Sequence, residues 1–410
     1  MINQKKNILF IGGGIETLPG VHLAKSMGLN VVISDINPKA PCVKFADDFL
    51  LSDIYDIKNT LKKAKAFNKK KKINGVICMA SDAPLTVATI TYELGLPGIP
   101  IYSAKLVSDK LLMKDFFKKK GIPIPKYREI FELNDIKKAI DSFGLPLVIK
   151  PVDSRGARGV IIISKEKDIE WSYITSKSFS PKKKVLVEQY LSGPQLSTEL
   201  IVVNGEVFTI GFSDRNYEFL KKYAPYIIEN GGDLPSKLKK DEVKLIKDTF
   251  ETTAKALKIN NGVLKGDMVL SNKKPYIIEV AARLSGGYFC SHEIPYNTGV
   301  NFVKNAILLA IGEKVEKNNL KIKKNRPVSQ RYLFPKPGKV LKIHVPKWIK
   351  REKNIVFFDL RIKVGDTIGE IKNHPSRAGV VIATGKDIKK ARLLAERVVK
   401  EIIIKTKKII

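Results

Sequence analysis

Three groups of residues in this sequence are of types and spacings that could do chemistry. The first centres on Lys150, which closes the apolar run Leu147-Val148-Ile149 and precedes Pro151. A small basic stretch follows, Asp153-Ser154-Arg155-Gly156-Ala157-Arg158-Gly159, and residues 160–163 are apolar again. Two strands joined by such a loop form a flap whose backbone N–H groups can face a phosphate, because glycine lets the chain approach closely. A lysine at the strand end adds a point charge for the same anion. No helix follows at once and no Gly-Lys-Ser/Thr ending is present, so this is not a Walker A loop. A basic surface hairpin would carry the same residues, and this segment alone leaves both readings open.

The second group is Asp267 and Glu279, twelve residues apart across a turn at residues 271–274. Adjacent antiparallel strands bring two such acids onto one face, since side-chain direction alternates with a period of two. Like charges side by side are costly unless a cation lies between them, and Mg²⁺ bridging nucleotide phosphates is a common solution. Two surface acids would fit the spacing equally. Against that stands the apolar company of Glu279, with Tyr276-Ile277-Ile278 before it and Val280-Ala281-Ala282 after. The third group, Arg283 with Ser285-Gly286-Gly287, offers a guanidinium fork and donor-rich backbone suited to a carboxylate or an acyl-phosphate.

The elements that must position these groups follow from periodicity. An apolar strand over 7–11 leads through Gly12-Gly13-Gly14 into an amphipathic helix reaching about residue 27, and strands are expected over 30–34, 48–51 and 75–79. Strands alternating with helices predict a parallel sheet with right-handed crossovers over the first hundred residues. Asp109 is an expected N-cap of the next helix, whose stripe is Leu112, Met113, Phe116 and Phe117. From about 148 to 210 the pattern reads as mostly antiparallel strand. A periodic helix over 241–257, a hairpin with strands over 262–270 and 275–281, and a final helix over 386–400 complete the pass.

Composition bounds the function classes. A length of 410 residues implies two or three domains, and no apolar run approaches the roughly 20 residues of a membrane span. Residues 1–6 lead straight into a strand, with no signal peptide, which makes a cytoplasmic location the expectation. Cys42, Cys78 and Cys290 form neither a disulfide framework nor a zinc pattern, and the four histidines are equally dispersed. The net charge of +33 includes lysine tracts at 69–72, 118–120 and 182–184. They lack interleaved aromatics, and the lysine excess runs through the whole chain, which argues against a nucleic-acid footprint.

With these residues in view, the chain resembles the ATP-grasp superfamily over nearly its full length. The Gly12–Gly14 start is similar to that family's pre-ATP-grasp domain. Asp109-Lys110 with Gly-Ile-Pro-Ile-Pro, the Lys150 strand and flap, and Glu188-Gln189-Tyr190-Leu191-Ser192-Gly193 resemble its nucleotide half. Gly266-Asp267 and Glu279 to Arg283 resemble its metal half, and residues 374–385 resemble the closing segment of its biotin carboxylase-like and carboxylate–amine ligase branches. The implied fold is α/β and α+β, multidomain: a Rossmann-like domain over 1–100, a two-lobed ATP-grasp fold over 101–310 (flap lobe 148–200, metal lobe 201–310) and a small C-terminal α+β subdomain over 311–410.

The resemblance implies that Lys110 and Lys150 meet the ATP phosphates and that Ser154, Arg155, Gly156, Ala157, Arg158 and Gly159 are a mobile flap over them. It implies a hinge of Glu188, Gln189, Tyr190 and Leu191 holding adenine through backbone groups, Mg²⁺ (or Mn²⁺) on Asp267 and Glu279, and Arg283 at the transferring phosphoryl group. Two positions depart from the family: Gln195 stands where an acid often meets the ribose, and Ala281 stands where an Asn often completes the metal strand. The implied activity is ATP-dependent joining of a small-molecule carboxylate to an amine, with thiol and bicarbonate variants open and a homodimer as one assembly. A nicotinamide oxidoreductase, based on Gly12, Gly14 and Asp35, is the rival enzyme class, weakened by Thr17 at the third glycine position. A basic RNA-binding protein is the rival outside enzymes. The substrate pocket is expected among Asp214, Arg215, Tyr223, Tyr288, His292 and Glu293, with His292 a loop-packing residue and Cys290 a buried small apolar one.

Overall fold

A computed structural model of the chain describes residues 5–408, so the expectation for the first four residues lies outside the described part. Strands β1 (Asn7–Ile11), β2 (Asn30–Asp35), β3 (Asp48–Leu51) and β4 (Ile73–Ile77) form a parallel sheet in the order β3-β2-β1-β4. β1 is buried along its whole length, which is why it reads as a continuous apolar run: a parallel sheet is covered on both faces. Asp56 starts the lysine-rich helix Ile57–Lys70 by accepting from the Asn59 N–H.

Strands β5 (Tyr127–Ile130), β6 (Leu147–Pro151), β7 (Ile161–Ile163) and β8 (Val185–Gln189) make an antiparallel sheet in the order β5-β8-β6-β7. The stretch from 148 to 210, expected to be mostly antiparallel strand, also holds the helix Ile169–Ser178. Its inward face is Ile169, Ser172 and Ser176, a helical spacing. Two serines on that face remove the apolar periodicity from which a helix is recognised.

The remaining strands are β9 (Gln195–Val203), β10 (Glu206–Asn216), β11 (Gly231–Leu234), β12 (Gly262–Ser271), β13 (Lys274–Ala281), β14 (Val328–Leu333), β15 (Gly338–His344), β16 (Ile355–Leu360), β17 (Thr367–Ile368), β18 (Gly379–Thr384) and β19 (Ile403–Lys407). They form an eight-stranded sheet, β13-β12-β9-β10-β11-β14-β18-β16, and a small sheet, β17-β15-β19. The large sheet thus draws strands from both sides of residue 311. The helix Lys240–Ala256 packs on it through Ile246, Phe250, Thr253 and Ala254.

The hairpin of β12 and β13 turns more tightly than expected. Asn272 and Lys273 both have positive φ (49° and 60°), the conformation of a two-residue turn whose twist matches the flanking strands. Just past β13 the chain pairs with the first sheet: Met79 bridges Leu284, and the Ala80 N–H donates to the Leu284 carbonyl at 3.1 Å. A shared apolar core, with Phe10 and Met79 from one side and Ile201, Leu284 and Val380 from the other, fixes that junction.

Candidate active site

A cavity of about 1110 Å³ opens where the three larger sheets meet. Lys110 and Lys150 enter it from different elements. Asp109 caps the helix Lys110–Lys119 by accepting from the Leu111 and Leu112 N–H groups at 3.1 and 3.2 Å, which fixes Lys110 at the first helical position. Lys110 Nζ then donates to the Ser154 carbonyl at 3.0 Å and pairs with Glu279 at 3.1 Å. One ammonium therefore ties the flap to the acidic hairpin. Within the helix stripe, Met113 and Phe117 are buried while Leu112 is exposed.

Lys150 on β6 pairs with Glu188 on β8 at 2.6 Å, and Lys114 reaches the same carboxylate at 2.6 Å. All three groups are buried. Burial alone would raise the Glu188 carboxyl, but the two ammonium groups hold it below its ordinary value. Burial pushes the Lys114 amine down to about 8, against the opposing pull of Glu188. Lys114 escaped the sequence reading. Its signal was its place one helical turn after Lys110, on the Met113–Phe117 side of the helix, where a lysine has no solvent.

Asp267 and Glu279 are direct cross-strand partners on β12 and β13 and both line the cavity. Each already faces a cation. Arg215 lies 2.8 Å from Asp267, and Lys265 and Ser197 also bond it. Burial would raise the Asp267 carboxyl, yet Arg215 and Lys265 hold it well below the usual carboxylate range. Arg215 also pairs with Glu229, so the guanidinium couples this hairpin to the loop before β11. Position 281 offers no donor, and among the described residues no cluster of three metal-binding side chains forms.

Arg283 is drawn toward the first sheet, with Nε donating to Asp82 at 2.7 Å and Nη1 to the Leu284 carbonyl at 3.2 Å. The following loop is pinned by Glu199 on β9, which accepts from the Ser285 N–H at 2.9 Å and its hydroxyl at 2.5 Å. Glu199 is fully buried, and burial pushes its carboxyl up to about 7 against those two bonds. Gly287 has φ +66° and donates its N–H to Glu16 at 2.6 Å, a left-handed position that favours glycine. Arg361, from beyond β16, meets the same Glu16 at 2.7 Å.

The flap is docked at three points. The Arg155 guanidinium lies 3.4 Å from the Tyr55 ring centroid. The Gly156 carbonyl accepts from the His374 N–H at 3.0 Å, and Lys110 holds Ser154. Ser154, Arg155, Gly156, Ala157 and Arg158 line the cavity, as do Gln189, Tyr190, Leu191 and Gln195 at its hinge side. Gly159 is not among the residues lining the cavity, although Arg158 and Val160 on either side are, and a Cβ there would lie 2.9 Å from Pro151 and 3.0 Å from Phe179. It belongs to the packed base of the flap, where φ is +72°. At the hinge, a Cβ on Gly193 would lie 2.1 Å from the Leu270 carbonyl oxygen, so only glycine lets β9 start beside β12.

Of the expected substrate-pocket residues, Asp214, Arg215 and Glu293 line the cavity, whereas Tyr223, Tyr288 and His292 do not. Tyr288 and His292 stack on Phe357 with centroids 4.4 and 4.3 Å away, the packing role expected for His292. Burial lowers the His292 imidazole to about 4. Cys290 is fully buried and donates to the Ser285 carbonyl at 3.1 Å. Glu229 lines the cavity without having been singled out from sequence, and His374 and Arg377, read there only as part of the 374–385 segment, line it too. Arg377 stacks 3.7 Å from the Tyr332 ring and bonds the Glu229 carbonyl at 2.9 Å. No helix among the described residues is long and apolar enough to cross a membrane.

Comparison with known proteins agrees with this architecture. Residues 107–287 match the model of the ATP-grasp domain, and residues 331–407 match that of the L-amino acid ligase C-terminal domain 2. The chain is similar to the phosphoribosylamine–glycine ligase of Pyrococcus horikoshii, 25% identical over 95% of this chain and 90% of that one. It is similar to the D-alanine–D-alanine ligase of Desulforudis audaxviator, 27% identical over 46% of this chain and 62% of that one. Among solved structures, the L-amino acid ligase from Bacillus licheniformis superposes with a TM-score of 0.84 at 20% identity, covering 99% of this chain and 100% of that one.

Proposed function

The chain belongs to the ATP-grasp superfamily, and from that premise we propose that it is an ATP-dependent ligase joining a small-molecule carboxylate to an amine. One observation carries this reading: Lys110 from a helix, Lys150, Asp267 and Glu279 from three strands, and Arg283 from the loop after β13 converge on a single cavity. Phosphoryl transfer is chiefly positioning and charge neutralisation, and this set holds cations and oxygen donors. In the proposed reaction a carboxylate oxygen attacks the γ-phosphorus of ATP and ADP leaves. The amine nitrogen then attacks the acyl carbon, the C–O bond to phosphate breaks, and the amine gives up a proton.

Lys110 and Lys150 serve as counter-charges for the phosphates, with Glu188 and Lys114 holding Lys150 in place. The flap from Ser154 to Arg158 covers the nucleotide and excludes water, Gln189 to Leu191 border the adenine, and Gln195 bonds a ribose hydroxyl. Arg283, oriented by Asp82, directs its remaining N–H groups at the acyl-phosphate. Asp267 and Glu279 offer the hard oxygens that Mg²⁺ or Mn²⁺ takes, and Mg²⁺ commonly uses one or two carboxylates with phosphates and water completing its shell. That donor pair fits the ion without the missing residue at 281. When bound, the ion supplies positive charge to the transferring phosphoryl group.

The test is ADP release from ATP with panels of carboxylate and amine pairs. Activity should require a carboxylate, and Glu279→Gln should lower it at least about a hundredfold, the scale of losing a transition-state charge partner. Release indifferent to any carboxylate, or full activity in Glu279→Gln, refutes the reading.

A further inference from the structure

We propose that the small sheet β17-β15-β19 docks a partner protein through an extended acidic segment, which adds a strand to the free edge of β19. This surface goes beyond the ligase reading and stands apart from the cavity. β15 is the middle strand and β19 an outer one. Their register sets Lys339 opposite Lys407, Lys342 opposite Lys405 and His344 opposite Ile403, with Leu341 as the extra residue of a bulge. These side chains and Leu341 are all exposed, whereas Val340 on the other face is buried. None of them lines the cavity.

Two lysine pairs held face to face are costly, since like charges directly opposite destabilise a sheet. No acid on the sheet relieves them, because none of its three strands contains Asp or Glu. Exposed lysines elsewhere find acids, Lys25 at Asp47, Lys65 at Glu93 and Lys71 at Asp48, but among the described residues these four have no ion pair. Lysines on an edge strand keep copies of a protein from pairing edge to edge, which accounts for Lys405 and Lys407. It does not account for Lys339 and Lys342, because β15 has a strand on each side. Both pairs together make a face suited to an anion.

The features of this face favour a polypeptide over a nucleic acid or a lipid surface. Its strands carry no Phe, Tyr or Trp on which a base would stack. They carry lysine without arginine, the residue whose fork grips phosphate. The outer edge of β19 presents a row of backbone N–H and C=O groups, which an extended chain pairs in series and a headgroup layer does not. Side chains of an added strand alternate with a period of two. In an antiparallel addition, acids two residues apart then stand opposite Lys407 and Lys405, and an apolar residue two further on meets Ile403. The recognised segment therefore reads acid, any, acid, any, apolar.

The experiment follows fluorescence anisotropy of a labelled Glu-Val-Glu-Val-Ile peptide on the full chain at about 0.15 M salt, where long-range attraction is screened. Its isomer Glu-Glu-Val-Val-Ile has the same charge with the acids adjacent. The first peptide should bind at least about tenfold tighter than the isomer, and should lose about tenfold when alternate backbone amides are methylated, which blocks strand pairing and keeps the charge. Lys405→Glu with Lys407→Glu should weaken binding at least about tenfold. Lys62→Glu with Lys69→Glu, the same charge change on the helix Ile57–Lys70, should weaken it less than about twofold. If the first variant melts early, Lys405→Gln with Lys407→Gln replaces it, with a loss of about tenfold again expected. No binding of the first peptide, equal binding of the two, indifference to methylation, or an equal loss in the helix variant overturns the proposal. Oligouridylate or phosphatidylglycerol vesicles that lose binding in the Lys405 and Lys407 variant, while the peptide does not, overturn it as well.

Discussion

Replacing Glu188 by Gln tests the electrostatic core of the nucleotide half. Glu188 is 2% exposed and stands 2.6 Å from both Lys114 and Lys150, themselves 0% and 4% exposed. Its charge is what lets two ammonium groups share one interior. Glutamine keeps the shape and removes the charge, leaving two cations facing one neutral amide. Removing one partner of a buried pair costs about 3–5 kcal/mol, and two stranded charges place this variant toward the upper end. With a urea dependence of about 1–3 kcal/mol per molar, the midpoint should fall by at least about 1 M. Adding Lys114→Met removes one stranded charge, so the double variant should be more stable than Glu188→Gln alone, a non-additivity expected of contacting groups. Urea titration followed by tryptophan fluorescence suits the question, because Trp171 lies on the helix packed against this sheet. A Glu188→Gln midpoint equal to wild type, or a double variant less stable than the single, would refute the reasoning.

Lys110→Ala and Lys150→Ala should each weaken ATP binding by roughly 1.5–3 kcal/mol, the worth of a charge-assisted contact, read by calorimetry; normal affinity in either variant removes that lysine from the phosphate site. Glu199 should make stability fall with rising pH. Burial lifts its folded pKa from 4.5 to about 7, so its favourable contribution is full below 4.5 and lost as pH rises through 7. At about 1.4 kcal/mol per pH unit, Glu199→Gln should gain up to about 3 kcal/mol on wild type between pH 4.5 and 7.5, and parallel stability curves would contradict this. Tyr55→Ala removes the ring under Arg155, a contact worth about 0.5–1 kcal/mol at a partly exposed site. Hydrogen exchange over residues 154–158 should quicken about two- to fivefold without nucleotide, and no change would mean that the His374 and Lys110 contacts alone hold the flap.

What the sequence disclosed of this site, and what it hid, follows from how far each constraint reaches along the chain. Asp267 and Glu279 were legible as a pair because a tight hairpin makes register a local property, and period-two alternation then fixes their shared face. The start of the helix that carries Lys110 was legible because its N-cap, Asp109, is the neighbouring residue, while Lys110 itself was singled out only through the family resemblance. The companions of these residues were not legible. Arg215 reaches Asp267 from β10, Glu199 reaches Ser285 from β9, and Asp82 reaches Arg283 from the first sheet, all through the order of strands in space, which no local pattern encodes. Lys114 was hidden for a further reason: a lysine in a lysine-rich helix reads as solvated, and only the packing of β8 against that helix turns it into a buried partner of Glu188. The same confusion attaches to the +33 charge. It describes the surface, whereas the cavity sets Glu16, Asp82, Glu229, Asp233, Asp267 and Glu279 against its arginines and lysines. A site that neutral in balance is not built to attract polyanions in general. It is built so that its lysines are held by acids of their own, Lys110 by Glu279 and Lys150 by Glu188.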